Sequence, residues 1–289
     1  MNTQEKVGLL KNNKSVAMLA PTFVIDFKYP NIIGMLRRLG FKEVTELTYG
    51  ARMVNWAYAE YVKKHPDQEL FISSPCPTVV ATIKTQYPEY VKFLMPIVSP
   101  MAAMARIYKK KHPDYKVFFI SPCWAKENIE APRYKGLIDG VIPLKELKEI
   151  FESQGIKEDD FTENYYFDSL VDKDTRVYPI SGGLASTSHI GELFKEGEVL
   201  ITDGFVNIKK AFDEIKAGTS HYRFLDLLNC PGGCIGGPAI NNKDLPTETK
   251  KEIIIKYTQR PFEVTEGEHK DNIDYAKDVD FSADLEKYG

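Results

Sequence analysis

Short apolar runs recur at residues 16–19, 70–72, 117–120, 140–142 and 199–201. They are unbroken rather than alternating, as strands buried on both faces are. Between them lie stretches with helical spacing of apolar positions, at 32–39, at 91–94 with its successors, at 144–151 and at 208–217. Strands alternating with helices predict an α/β fold with mostly parallel sheet. The polar, acidic stretch 157–174 predicts a loop between two lobes.

One pattern occurs twice. Lys63-Lys64-His65-Pro66-Asp67 leads to Ser74-Pro75-Cys76, and Lys110-Lys111-His112-Pro113-Asp114 leads over the same distance to Ser121-Pro122-Cys123. Nine of the fourteen aligned positions are identical, Phe71 and Phe118 among them. Each copy reads as a helix ending in cations that suit the negative end of its dipole, a Pro-Asp turn, a short buried strand, and a cysteine. Two equivalent strands thus deliver Cys76 and Cys123 at their carboxyl ends, where open α/β sheets bind ligands. His65 and His112 are explained by the helix ends, and the isolated His189, His221 and His269 are assigned no metal.

Composition narrows the class. The 289 residues are 43% hydrophobic and 27% charged, enough to bury a core without disulfides and unlike a disordered chain. The most apolar stretch, 93–105, is interrupted by Pro96, Ser99 and Pro100, so no membrane span is expected. Residues 1–14 have no apolar core or cleavage-like site, which makes the cytoplasm the expected location. A net charge of −3 gives no case for nucleic acid. Residues 266–289 hold eight acids and three lysines and read as a solvated tail packed through Tyr275, Phe281 and Tyr288. Residues 1–289 are read as a single domain that includes this tail.

The chain has four cysteines in all. Cys230 and Cys234 form a C-x3-C pair within Asn229-Cys230-Pro231-Gly232-Gly233-Cys234-Ile235-Gly236-Gly237-Pro238. Glycines beside paired thiols let backbone N–H groups approach an anionic centre. Zinc sites more often use C-x2-C, and a second pair is missing. A 1+1+2 set of thiols ringed by glycine and proline suggests an iron–sulfide cluster.

These residues resemble the catalytic domain of the iron-only (FeFe) hydrogenases from about residue 16 to 241. That family has three cysteine motifs. Thr-Ser-Cys-Cys-Pro is matched by Ser73-Ser74-Pro75-Cys76-Pro77, and Met-Pro-Cys-x-x-Lys by Ser121-Pro122-Cys123-Trp124-Ala125-Lys126. Met-Ala-Cys-x-Gly-Gly-Cys-x-x-Gly-Gly is matched by Leu228-Asn229-Cys230-Pro231-Gly232-Gly233-Cys234-Ile235-Gly236-Gly237. An early Ala-Pro-Ser resembles Ala20-Pro21-Thr22, and a glycine motif resembles Ser181-Gly182-Gly183. The resemblance implies two lobes, each a mostly parallel twisted sheet flanked by helices, with the cofactor in the cleft between them. It implies that Cys76, Cys123, Cys230 and Cys234 hold a 4Fe-4S cluster. Cys234 would bridge to a di-iron subcluster with CO, cyanide and azadithiolate ligands, the whole being the H-cluster. Lys126 would hydrogen-bond one cyanide, Pro21 and Thr22 the other, and Gly232 and Gly233 would lie against the cofactor. The implied activity is reversible interconversion of H2 with protons and electrons.

Three departures qualify this expectation. The family's relay cysteine is replaced by Pro75, so another proton path is needed, and Glu60, Glu130 and Ser121 are the candidates. Glu130 falls one residue later than the family's glutamate. Ser121 and Leu228 replace methionines that pack on the di-iron subsite, as in divergent branches of the family considered sensory. No cysteines remain for accessory clusters, so electrons come from a separate carrier such as ferredoxin, and Arg106, Lys109, Lys110 and Lys111 could steer an acidic one. The di-iron part requires dedicated maturation proteins. Two alternatives stand beside the hydrogenase: an H2 sensor with slow turnover, and a non-catalytic 4Fe-4S protein like the eukaryotic cluster-assembly relatives.

Overall fold

The apolar runs become the centres of two separate parallel sheets. A computed structural model describes residues 1–161, 165–168, 170–260 and 273–285. One sheet contains β1 (Ser15–Leu19), β2 (Glu43–Glu46), β4 (Lys116–Ser121) and β5 (Gly140–Pro143), in the order β2-β1-β4-β5. The other contains β3 (Phe71–Ile72), β6 (Val199–Asp203) and β7 (Phe224–Leu228), in the order β3-β7-β6. Every strand pair is parallel, with Ala17 opposite both Val44 and Phe118. The strands of the internal repeat, β3 and β4, fall in different sheets, so each lobe receives one copy.

The helices are α1 (Thr3–Asn12), α2 (Asn31–Leu39), α3 (Thr48–Lys64), α4 (Pro77–Gln86), α5 (Pro100–Lys111), α6 (Leu144–Ser153), α7 (Gly183–Ser188), α8 (Phe205–Lys216), α9 (Thr247–Thr258) and α10 (Ile273–Ala276). Side chains alternate across β1 and β4, and that splits the core. Ala17, Leu19, Phe118 and Ile120 pack with Ile33 and Leu36 of α2 and Leu147 and Ile150 of α6. Val16, Met18, Val117 and Phe119 turn to the other face and join Val54 and Tyr58 of α3 and Met101 and Met104 of α5. That second cluster also takes in Phe71, Phe224 and Leu225, so α3 and α5 belong to the core of both sheets.

Two strands and one turn differ from the sequence expectation. β2 and β7 are not apolar runs, because buried polar groups interrupt them: Thr45 and Glu46 in the first, Asp226 in the second. Residues 91–94 lie in and just after a 3-10 turn, Pro88–Phe93, rather than an α-helix. Pro88 opens it, and Leu94 is already extended, so that Met95 N–H can bond Ile72 O. The 157–174 segment runs beside the β2 edge, where Asp168 accepts Val44 N–H and pairs with Arg37; residues 162–164 and 169 lie outside the described residues.

At the carboxyl end of β2 the fold buries a charge pair. Glu46 accepts Arg176 Nε at 3.0 Å and Tyr257 Oη at 2.6 Å, and the Arg176 guanidinium lies 4.1 Å from the Tyr257 ring centre. The tail packs as read through Tyr275 and Phe281, with Phe281 O accepting Val98 N–H, while Tyr288 lies outside the described residues. It also occupies the basic end of α5. Arg106 donates to Ser282 O at 3.0 Å, Lys110 bonds Lys277 O, and Lys111 sits over Tyr275.

Asp226, in the middle of β7, is 2% exposed and accepts Ala185 N–H at 3.1 Å, with Tyr58 and Tyr178 close by. Burial raises its carboxyl from the usual 3.8 to about 6. Between those values the folded chain holds a proton that the unfolded chain has lost, so this group's stabilising contribution is complete below pH 3.8 and lost as pH rises through 6. Asp226→Asn removes that loss. Urea unfolding at pH 4 and pH 7 should show the gap in unfolding free energy between variant and parent widening in the variant's favour by about 2 kcal/mol. Parallel pH profiles would contradict the assignment.

Candidate metal centre

Five strands end at one cavity, whose atom-free space is about 880 Å³ with its mouth included. From the first sheet, β1 leads to Ala20 and Pro21, β2 to Leu47 and Thr48, and β4 to Pro122 and Cys123. From the second, β3 leads to Pro75 and Cys76, and β7 to Leu228, Asn229 and Cys230. Cys234, opening the 3-10 turn Cys234–Gly236, completes the four thiols on this wall. The placement follows the general rule that α/β sheets bind ligands at strand carboxyl ends.

Glycines set the loop beneath Cys230 and Cys234. Gly233 has φ +92°, and a Cβ there would stand 2.5 Å from Pro179 O and 2.6 Å from Ser181 N. At Gly237 it would meet Pro122 O at 2.4 Å. Ser181 N–H bonds Gly232 O, and Ile180 bridges to Gly233. The Ser181-Gly182-Gly183 stretch is therefore the backing of the cysteine loop. Gly183 must be glycine for its own reason, because a Cβ would lie 2.4 Å from Val177 O.

Cys123, Cys230 and Cys234 resist ionisation as they stand. Burial, then the neighbouring Cys76 and Cys123, push Cys230 up to about 12. Burial and the other cysteines also raise Cys234, and burial is the main cause at Cys123. Thiolates collected here need positive charge among them, which iron supplies. Among the described residues no three His, Cys, Asp or Glu side chains are grouped to hold a single ion. One zinc would draw its sulfurs to about 4 Å from each other, whereas a four-iron cube gives each thiolate its own iron. The donor set and the cavity fit the cube.

Lys126 supplies the cation on the cavity wall. Its Nζ donates to Pro75 O at 3.0 Å and to Glu130 Oε2 at 2.5 Å, and Ser99 Oγ bonds the other Glu130 oxygen. Glu130 is completely buried. Residues Lys126–Glu130 form a wide π turn closed by Ala131 N–H on Lys126 O. Such a turn holds one extra residue, which accounts for the one-residue offset of Glu130.

The other candidates are distributed unevenly. Ala20 and Pro21 line the cavity; Thr22, next in the same turn, is buried, and among the described residues its hydroxyl has no hydrogen-bond partner. Ser121 is buried and engaged locally, donating to Cys123 O and accepting Cys123 N–H, both at 3.0 Å. Glu60 is not brought to the cavity. It lies on an outer face of α3 in an exposed pair with Lys63 at 3.2 Å, while Thr48 and Ala51 of that helix reach the wall. The basic residues of α5 are also remote, since Lys111 is roughly 16 Å along the helix from the cavity-lining Pro100. Sequence reasoning missed Ser99 and Tyr178; the second stands five residues before Gly183 and is part of the wall.

Comparison with known proteins agrees with this geometry. The family described as iron only hydrogenase large subunit, C-terminal domain, matches residues 13–238. The chain is 24% identical over 262 residues to the periplasmic Fe hydrogenase large subunit of Nitratidesulfovibrio vulgaris, covering 71% of this chain and 61% of that one. It is 34% identical over 79 residues to a probable cytosolic Fe-S cluster assembly factor of Aedes aegypti, which is 25% of this chain and 16% of that one. The chain thus spans about three fifths of that hydrogenase and a much smaller part of the assembly factor. Among solved structures, an FeFe-hydrogenase studied for oxygen inactivation of its H cluster superposes with a TM-score of 0.71 at 20% identity, covering 91% of each chain. A variant FeFe-hydrogenase from Chlamydomonas reinhardtii gives 0.71 at 18% identity over 88% of each. These two likenesses establish the shared fold. Among the described residues no helix is long and apolar enough to cross a membrane.

Proposed function

The chain belongs to the family formed by the C-terminal domain of the iron-only hydrogenase large subunit, and on that premise we propose that it is a hydrogenase interconverting H2 with protons and electrons at an H-cluster. The observation that carries this reading is the convergence of all four cysteines, delivered by both sheets, on one cavity beside a partly buried lysine. Cys76, Cys123, Cys230 and Cys234 would hold the 4Fe-4S cluster, and Cys234 would also serve the di-iron subcluster. The bound cofactor supplies an electron reservoir and an open iron for heterolytic H2 chemistry.

The chain's own residues orient it and exclude water. Lys126, steadied by Pro75 O and Glu130, would offer its charge to a cyanide ligand, and Pro21 and Thr22 would serve the other. Gly232 and Gly233 keep the loop slim enough to approach the cofactor. Where the family's relay thiol would stand, Pro75 offers a carbonyl already taken by Lys126. The buried chain Lys126–Glu130–Ser99 is the acid–base route that reaches the wall, and it replaces Glu60 in the proton path. Ser121 shapes the Cys123 turn. Electrons come from a separate carrier, with ferredoxin the proposed one, and the di-iron part from maturation proteins. We place the chain in the cytoplasm, where its thiols stay reduced.

A second reading, a non-catalytic iron–sulfur protein, draws on the local likeness to assembly factors and on Pro75. Anaerobic protein given a synthetic di-iron cofactor separates the two by infrared spectroscopy and an H2 assay. Carbon monoxide and cyanide bands with H2 evolution from a reduced dye are expected. Bands with negligible turnover favour an H2 sensor. An intact 4Fe-4S cluster without such bands would sink the hydrogenase reading.

A further inference from the structure

Apolar side chains face solvent at one corner beside the cysteine loop. Among the described residues eight large hydrophobic side chains are exposed, and three of them, Ile201, Phe205 and Val206, fall within six consecutive positions. Exposed apolar residues scattered singly need no explanation, but a cluster of them marks a contact surface. These three lie in β6, the outer strand of its sheet, and in the first turn of α8. The core has no use for the last two, since α8 packs through Ile208, Ala211 and Phe212 and leaves Val206 78% exposed.

This corner is continuous with the metal centre. Ile201 lies over Gly182, where a Cβ would stand 3.0 Å from it, and Gly182 belongs to the stretch that backs the cysteine loop. A Cβ on Gly204 would be 3.9 Å from Pro231, the exposed residue next to Cys230. Asp203 turns its carboxylate inward, accepting Gly232 N–H at 2.9 Å, and its charge is felt at the Cys230 thiol. Outward stand the exposed Lys209 and Lys210, three and four positions after Val206 and so on its face of the helix. Lys210 reaches Glu214 only at 3.8 Å, in a pair too exposed to hold its charge back from a partner.

We propose that Ile201, Phe205, Val206 and Pro231, with Lys209 and Lys210 at their edge, form the docking surface for an acidic one-electron iron–sulfur protein. This rests on the cluster-binding reading above and names the side from which electrons enter. Tunnelling weakens steeply with distance, so a carrier must seat beside the ligands, and Pro231 is one residue from Cys230. The lysines steer an acidic partner, and a small apolar centre suits the brief contact of a redox encounter. One electron leaves the carrier, which is oxidised, and reduces the 4Fe-4S cluster of this chain. At the basic end of α5, by contrast, Arg106, Lys110 and Lys111 are taken by the chain's own tail.

The test uses the full chain reconstituted with the 4Fe-4S cluster only, and an isotope-labelled acidic bacterial ferredoxin as the probe. Titration followed by NMR should show saturable shifts, with weaker binding at higher salt. Val206→Glu, at a site open to solvent, should weaken binding about tenfold or more. Lys209→Glu combined with Lys210→Glu should also weaken it and flatten the salt dependence. Both variants should keep the parent's iron content and its rate of reduction by dithionite. Equal affinities for parent and variants, or a ferredoxin that does not bind the parent, would overturn the inference while the iron content upholds the cluster reading. Sedimentation showing a parent dimer that Val206→Glu dissociates would give the surface to a second copy of the chain and overturn it too. A parent chain that takes up no cluster would overturn both.

Discussion

Cys234→Ala is expected to reduce bound iron from about four atoms per chain to less than one after anaerobic reconstitution. Cys234 is the proposed ligand held by the glycine loop, and no other cysteine is free to replace it, since all four already line the cavity. Among the described residues, no histidine or carboxylate lines that wall either. Iron and sulfide quantification, with the visible charge-transfer absorption, checks this. The apo variant should unfold at the same urea concentration as the apo parent or slightly above it. Burial opposes ionisation of the thiol that is removed, and a methyl group suits the largely apolar wall. A variant that retains its full iron would remove Cys234 from the ligand set.

The largest effect on the fold is expected at Arg176. Arg176→Ala leaves Glu46 buried without its cation and should lower unfolding free energy by about 3–5 kcal/mol. Tyr257 Oη and Thr48 Oγ1 still donate to Glu46, but neither neutralises its charge. Adding Glu46→Gln should recover much of the loss, because the remaining amide can accept those hydroxyls without a buried charge. Urea denaturation of the parent, both single variants and the double variant measures the coupling. Additive losses would mean that the pair is not one unit. The network ties the end of β2 to α9 and to the turn at Asp174–Val177, just before Tyr178. Part of the penalty should therefore appear as weaker iron retention.

The sequence revealed what was apolar or repeated and concealed what was polar and buried. β1, β4, β5 and β6 announced themselves as unbroken runs, and the doubled Ser-Pro-Cys segment located two thiols at strand ends. β2 and β7 did not, because Glu46 and Asp226 sit where apolar residues would be expected. Their partners Arg176 and Ala185 are 130 and 41 positions away. In the site, scarcity made the four cysteines legible, and Lys126 followed from its spacing to Cys123. Glu60 shows the limit of proximity along the chain. It is two residues from the inward Tyr58, which on a helix turns it toward solvent. The basic residues of α5 looked available to a partner, yet the chain's own tail takes Arg106, Lys110 and Lys111, and Asp139 takes Lys109. Tyr178 was invisible as a cavity-lining residue because an aromatic residue before a glycine turn looks like any core ring.

The division of the repeat between two sheets has a mechanical consequence. Cys123 follows a strand of one sheet, while Cys76 and Cys230 follow strands of the other. A cluster gripping all of them is a rivet across the two halves, closing long stretches of chain as a disulfide does and restricting the unfolded ensemble in the same way. Because α3 and α5 also belong to the core of both sheets, loss of such a cluster would loosen the join between the halves without parting them, and the emptied chain would be the readier substrate for a protease.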